Sequence, residues 1–480
     1  MATGFMGRKS ELALLGERLE KARASGSGVA VAIRGRHRVG KSRLVQEFCD
    51  DAGVPYLYYT ATRGASPVET VRGFLAQLRE SALPQSAGPV PGEAASGWPG
   101  AFRALAAALP DAPSIVVLDE YSWLAEQDAI FDGALQAAWD RLLSQRPVLL
   151  LLLGSDAQLI GRLTAQASPL CERADNLVLG PLNPAEVGAA LSLGAADAID
   201  AHLISGGLPG ILRAWPAGVP ALEFAERECE DPASPLFGVP EATLVAEFPA
   251  PDTTRRVIEA IGGGSRTHAA VAAAAGSRTG AIPSGTLSPL LNWLITEKRV
   301  LAMDEPLSTR GGKPALYRVA DSSLGFYLEI GRAVQEWAHR GRPASAVALV
   351  RRRWSSWRVR AVEPVIREAL SCAAGVLPWP DAVAVGGWWT RTFETSIDII
   401  GADRSPGPRN VFYAGSILWL SRPFDDRDLG LLRRDAPFVP GFHPMSAGLL
   451  AVSRRGFSAT AAAQLAVCWG PEEVIAAYRG

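Results

Sequence analysis

The residues best suited to chemistry are a glycine-flanked loop and a pair of acids. Gly35-Arg36-His37-Arg38-Val39-Gly40-Lys41-Ser42 fits the pattern G-x-x-x-x-G-K-[ST]. Glycines at the two fixed positions let backbone pass close to an anion, so that successive N–H groups converge on phosphate oxygens. A helix starting at Lys41 would add its positive N-terminus. Lys41 should then reach the β- and γ-phosphates, and the Ser42 hydroxyl should bind Mg²⁺. Asp119 and Glu120 follow the apolar run Ile115–Leu118. Asp119 would hold the metal through water, and Glu120 would orient and deprotonate an attacking water. Adjacent acids after a strand also cap helices, and it is the loop upstream that favours the metal reading.

The elements that must position these groups are legible around them. Val29–Ile33 is an apolar run entering the loop, as a buried parallel strand should be. Ser42–Cys49 has helical spacing, with Leu44, Val45 and Phe48 on one side. Strands are expected at 56–60, 114–118 and 148–153, and helices at 66–82, 101–109 and 129–144. Ser66 serves as N-cap and Pro67 as the first helical residue. The stretch 83–100, rich in Pro, Gly, Ser and Ala, reads as a loop. This alternation predicts a parallel sheet covered on both faces. Ser155, at the end of the strand 148–153, occupies the position that senses the γ-phosphate in many P-loop ATPases. It is equally placed to cap a helix from Ala157.

Composition narrows the rest. Of 480 residues, 48 are Lys or Arg and 49 are Asp or Glu, for a formal net charge of −1. That excludes a coat of positive charge and an acidic disordered chain, so any nucleic-acid surface must be local. A hydrophobic share of 48% is ample for several cores, and ~100–200 residues per domain predicts about three domains. Only five residues are lysines: Lys9, Lys21, Lys41, Lys298 and Lys313. The five cysteines (Cys49, Cys171, Cys229, Cys372, Cys468) show no C-x-x-C spacing, which fits a reducing compartment and no cysteine zinc site. No secretory leader is visible, and the longest strongly apolar run, 147–154, is too short to span a bilayer. The expectation is a soluble cytoplasmic protein without a membrane segment.

Several motifs together resemble the archaeal-type ATPases of the STAND branch of AAA+ proteins. Phe5-Met6-Gly7-Arg8-Lys9-Ser10-Glu11-Leu12 resembles the box F-x-G-R-x-x-E-L that precedes their phosphate loop. The loop itself is close to G-R-R-R-V-G-K-[ST], with His37 in place of the middle arginine. Ser168–Arg173 resembles S-P-L-Y-G-R, and Gly206-Gly207-Leu208-Pro209 resembles the G-G-[IL]-P of the helical lid. Thr253–Val319 looks like the winged helix of that family, ending in a Y-x-[IV]-x-D-like junction at 317–321. The resemblance implies ATP and Mg²⁺ as ligands, with Gly35, Arg36, Arg38, Val39, Gly40, Lys41 and Ser42 around the nucleotide and Ser42 and Asp119 at the metal. It also implies catalytic roles for Glu120, Lys41 and Ser155. Arg173 would be either a finger on the γ-phosphate or a structural ion pair. Arg8 would lie near the base, and Arg36 and Arg38 either face outward or touch a neighbouring domain.

The implied organisation is an α/β ATPase core over 1–182, a helical lid over 183–247, a winged helix over 248–325 and a restriction-endonuclease-like domain over 326–480. Glu363, Gly387-Trp388-Trp389, Ile397-Asp398-Ile399-Ile400 and Ser453–Phe457 match pieces of that last domain. Its usual pattern is E…E-I-D-[IV]-[IV]…G-E-C-K-W, in which carboxylates hold a metal and a lysine positions water. Here Ser416 stands for the glutamate and Leu418 for the lysine, and no lysine follows residue 313. A nuclease-like fold without nuclease activity is expected, with Asp398 reduced to a local hydrogen-bonding role. DNA binding through the winged helix is a further expectation, but the outward residues of 284–294 (Ser284, Thr286, Ser288, Asn292) include no arginine. Arg266, Arg278, Arg310 and Lys313 nearby, and the cluster 351–360, supply the only modest basic surface. The functional expectation is a slow Mg-dependent ATPase acting as a regulatory switch with an unidentified protein partner. The alternatives are a DNA- or protein-binding scaffold that holds ATP as a structural ligand, or, with less support, a DNA-processing endonuclease.

Overall fold

A computed structural model describes residues 5–84, 97–154, 174–248, 252–277 and 280–479. The chain divides into two compact units, Gly4–Pro181 and Leu182–Gly480, the latter grouped with the first three residues.

The first unit is built on a five-stranded sheet of order β2-β3-β4-β1-β5, formed by β1 (Val29–Arg34), β2 (Tyr56–Thr60), β3 (Ser114–Asp119), β4 (Val148–Gly154) and β5 (Asp175–Val178). Every pairing is parallel. Parallel strands covered on both faces cannot alternate polar and apolar residues, and β3 and β4 are accordingly buried along their whole length. One face carries a large core in which Trp98 stacks on Phe102 while Tyr59, Phe74, Tyr121 and Phe131 pack edge-on around them. The helix α3 (Pro67–Glu80) begins with a full capping box between Ser66 and Glu69 and with Pro67 in its first turn, as the sequence predicts. Two helices go beyond the sequence reading: α1 (Lys9–Ser25) and α5 (Tyr121–Gln127). A third, α4 (Gly97–Ala108), begins inside the stretch expected to be loop, because Trp98, Ala101, Phe102 and Leu105 bury a helical face there.

The second unit opens with helices up to residue 247. Three further helices follow (Thr253–Gly262, His268–Ala274, Ser284–Thr296) with an antiparallel pair, β6 (Leu301–Asp304) and β7 (Leu316–Val319). The 30-residue helix Pro343–Cys372, about 45 Å long at 1.5 Å per residue, leads to a mixed sheet of order β12-β11-β10-β9-β8. Its strands are β8 (Ala384–Trp389), β9 (Ser396–Ala402), β10 (Val411–Leu418), β11 (Gly448–Ser453) and β12 (Val467–Trp469). β8, β9 and β10 pair antiparallel, whereas β10, β11 and β12 pair parallel. Asp200 knits this unit together. Its carboxylate accepts from Arg358 Nη1 at 2.9 Å, Trp419 Nε1 at 2.8 Å, and Arg454 Nη2 at 3.0 Å. Among the described residues no single helix is long and apolar enough to cross a membrane.

Candidate nucleotide site

The candidate site lies at the carboxyl-terminal edge of the first sheet. β4 sits between β1 and β3, so the end of β1 is in register with the end of β4 (Arg34 with Gly154), and Leu118 of β3 with Leu152 of β4. The phosphate-loop pattern leaves β1 while Asp119 and Glu120 leave β3, one strand apart. Crevices at this edge are where open parallel sheets hold ligands.

The loop needs its glycines. A Cβ at Gly35 would lie 2.3 Å from the Leu179 carbonyl oxygen, and Gly40 has φ +97°. Arg38 also adopts the left-handed region. The helix α2 (Lys41–Asp51) starts directly after Gly40 and buries Leu44, Val45 and Phe48. Lys41 is itself buried, and its Nζ donates to the carbonyls of Gly35 (2.6 Å) and Arg36 (3.1 Å). The ammonium is thus held over the loop by oxygens that a more acidic ligand can replace. Val39 is buried, whereas His37 and Ser42 are exposed. Partial desolvation of the His37 ring by the surrounding loop lowers its pKa, and the charges of Lys41, Arg38, Arg36 and Arg63 lower it further.

Arg8 braces the loop from outside. Its guanidinium is only 5% exposed and donates to Val39 O (3.2 Å) and Gly180 O (2.5 Å), with Glu11 as its ion-pair partner at 3.1 Å. The sequence singled out Arg8 but gave no hint of these partners, which lie up to 172 positions away.

The acidic side of the site is tightly organised. Asp119 is buried; its Oδ2 accepts from Tyr58 Oη at 3.0 Å and its Oδ1 from the Glu120 backbone N–H at 2.9 Å. Tyr58 Oη also lies 3.3 Å from Ser42 O, so one hydroxyl connects the start of α2 with the end of β3. Sequence reasoning missed Tyr58. Its only signal was a central place in the strand preceding the acidic one. Glu120 takes φ +56°, an unusual conformation for a residue with a side chain, at the start of α5. Burial raises its carboxyl pKa above the ordinary value and the Asp119 charge adds to this, while Lys41 opposes it. A carboxylate shifted upward in this way is a better proton acceptor near neutrality. The donor set fits a nucleotide with a divalent metal: converging loop backbone, a lysine, a hydroxyl, a buried aspartate and a base beside it. Ser155 and Arg173 lie outside the described residues, so no geometry is given for either.

In the second unit, the residues matched to a nuclease core form a closed hydrogen-bonded set. Asp398 Oδ2 accepts from Ser416 Oγ (3.1 Å) and Ile417 N (2.8 Å). Arg367 donates to the Asp398 carbonyl (2.8 Å) and to Glu363 (3.1 Å). Burial raises the pKa of both Asp398 and Glu363. Among the described residues no group of three or more His, Cys, Asp or Glu side chains is arranged to hold a metal ion. The basic stretch of the long helix is mostly committed to acceptors. Arg351 pairs with Glu226 (2.7 Å), Arg353 donates to Glu329 O (2.8 Å), Arg358 reaches buried Asp200, and Arg360 pairs with Glu329. Trp354 and Trp357 on that helix are buried. Arg266 lies 3.8 Å from Asp304, and Lys313 packs on the Trp388 ring with its Nζ 4.4 Å from the centroid. Arg278 lies outside the described residues.

No family model matches the chain, and no curated protein matches it. Solved structures are similar. The Walker-type ATPase of Pyrococcus abyssi matches with 18% identity and a TM-score of 0.45, over 68% of this chain and 96% of that one. The ORC2 protein of Aeropyrum pernix, solved as ADPNP–ADP complexes, matches with 14% identity and a TM-score of 0.46, over 72% and 98%. Cdc6p from Pyrobaculum aerophilum matches with 13% identity and a TM-score of 0.33, over 71% and 97%. With identities and scores this low, the reading of the site rests on the chain's own residues.

Proposed function

We propose that the chain binds ATP with Mg²⁺ and hydrolyses it slowly, as a regulatory switch read by a protein partner. One observation carries this reading: the 35–42 loop and the Asp119–Glu120 pair leave parallel strands on the same sheet edge with a single strand between them. The backbone from Gly35 to Ser42 cradles the phosphates, and Lys41 Nζ moves from the loop carbonyls to phosphate oxygens. Arg36, Arg38 and Val39 complete the loop wall, and Arg8 keeps it in shape. The Ser42 hydroxyl, and the Asp119 carboxylate through water, would hold Mg²⁺, which would supply charge neutralisation to the phosphates. Glu120 accepts the proton of a water whose oxygen attacks the γ-phosphorus. The bond to the bridging oxygen breaks, and ADP and inorganic phosphate are the products. For Ser155 and Arg173, which lie outside the described residues, the roles of γ-phosphate sensor and arginine finger rest on sequence position alone, beside those of helix cap and structural ion pair.

The organisation that accompanies this reading is a core over 1–182, a lid over 183–247, a winged helix over 248–325 and a nuclease-like domain without hydrolytic chemistry over 326–480. A protein partner is favoured over DNA because three arginines of the 351–360 cluster, Arg351, Arg358 and Arg360, are already paired with Glu226, Asp200 and Glu329. An endonuclease is disfavoured because Arg367 satisfies Glu363, and Ser416 and Leu418 stand where a carboxylate and a lysine are needed.

Phosphate release by the wild type and by Glu120→Gln tests the proposal. Wild-type turnover should exceed that of the variant by about 10²- to 10⁴-fold, the range for loss of a general base. Equal rates at the contaminant background would remove the hydrolase reading and leave ATP as a structural ligand.

A further inference from the structure

The function proposed above uses Ser42 and Asp119 but leaves Tyr58 without a role. Tyr58 lies on β2, the strand at one end of the first sheet, and pairs with Val117 of β3. Its hydroxyl donates to Asp119 Oδ2 at 3.0 Å, and it lies 3.3 Å from the carbonyl oxygen of Ser42. A phenolic hydroxyl has one proton and two lone pairs, so it can give its proton to only one of these oxygens. The charged Asp119 carboxylate is the stronger acceptor. Asp119 Oδ1 is turned toward the Glu120 N–H at 2.9 Å. With both oxygens engaged, the carboxylate plane is fixed. Tyr58 is thereby set at the junction of the two residues assigned to the metal, although 61 positions separate it from Asp119.

We infer that Tyr58 is a positioning residue for the divalent cation: it acts through Asp119, setting the orientation in which that carboxylate meets the metal's water shell. Partners that orient a metal's ligands typically govern affinity by 10- to 100-fold, and a tyrosine acting through a water-bridged aspartate belongs at the lower end of that range. The inference rests on the ATP–Mg²⁺ reading of the site. It predicts a specific division of effects. Removing the hydroxyl leaves the phosphate loop and Lys41 intact, so nucleotide affinity without metal is unchanged. The gain in affinity that Mg²⁺ confers shrinks.

The test measures binding of a fluorescent ATP analogue by the full chain in EDTA and across a Mg²⁺ titration, for wild type, Tyr58→Phe and Lys41→Ala. The expected result is wild-type affinity in EDTA for Tyr58→Phe, with the Mg²⁺ midpoint raised about 10-fold. In an Asp119→Asn background the same substitution should add nothing, because the carboxylate it orients is gone. An unchanged Mg²⁺ midpoint in Tyr58→Phe overturns the inference while leaving nucleotide binding standing. Equal loss with and without metal also overturns it, since that is the signature of a merely structural contact. Failure of the wild type to bind nucleotide, or binding that Lys41→Ala does not weaken, overturns the underlying reading and the Tyr58 assignment with it. If Tyr58→Phe folds poorly, Tyr58→Leu keeps an apolar side chain on β2 without a hydroxyl and takes the same comparison.

Discussion

Asp119 and Asp398 are both strand aspartates whose carboxylates accept one side-chain and one backbone hydrogen bond, and the proposed function puts them to opposite uses. Around Asp119 the hydroxyl donor is Tyr58, a glutamate follows at once, and the cation of the site is Lys41, which donates to two loop carbonyls. Around Asp398 the hydroxyl donor is Ser416 and the cation is Arg367, already shared between Glu363 and the Asp398 main chain. A lysine donating to loop carbonyls can exchange those neutral oxygens for phosphate oxygens. An arginine bonded to a glutamate cannot be displaced without leaving that half-buried acid unpaired. Strand position alone therefore does not make an aspartate reactive. What the neighbouring cation is already bonded to decides it.

Three substitutions would break or sharpen this contrast. The largest effect belongs to Lys41→Ala, which should weaken ATP binding about 100-fold, near the upper worth of a charged hydrogen bond. Calorimetric titration checks it, and the melting temperature should stay near that of wild type because Lys41 spends its bonds on loop carbonyls. The mirror image is Asp398→Ala. It should cost about 2 kcal/mol of unfolding free energy in denaturant melts and leave ATP affinity unchanged. Neither wild type nor variant should cleave DNA with Mg²⁺. Cleavage that disappears in Asp398→Ala would place the two aspartates in one class. The smallest effect concerns pH. His202 of the second unit has its pKa lowered to about 4 by burial, against 6.5 for a free imidazole. The folded state therefore prefers the neutral ring. Its contribution is fully present above pH 6.5 and is lost as pH falls toward 4, amounting to about 1–3 kcal/mol. His202→Gln should flatten that acid limb in stability measured between pH 7 and 4, without altering the behaviour of Lys41→Ala.

How much of this could be read from residues in order depends on the range of each interaction. The runs at 29–33, 114–118 and 148–153 announce buried parallel strands because each is apolar nearly throughout, and the 35–42 loop is a local pattern. The helix α1 was less legible. Leu15, Leu19 and Ala22 give it a buried stripe, yet charged residues surround them. α5 is too short for periodicity to register and begins with Glu120 in a left-handed conformation. The contacts that give the site its shape were invisible for another reason. Tyr58 with Asp119, and Arg8 with Gly180, are meetings between distant segments brought together by sheet order, and nothing in local spacing encodes them. On the nuclease-like side, the substitutions at Ser416 and Leu418 were legible as departures from a pattern. That Arg367 ties Glu363 to the Asp398 main chain was not.

Asp200 has a consequence of a different kind. Through Arg358, Trp419 and Arg454 it bonds three segments that lie 158, 219 and 254 positions further along the chain. Loss of any one of them strips a donor from a buried carboxylate, so none of these segments can open alone at low cost. The helix Ala195–Ser205, the middle of the long helix and the end of β11 should therefore exchange their amide hydrogens together, at one shared rate. The proposed lid and the proposed C-terminal domain thus share one buried carboxylate cluster.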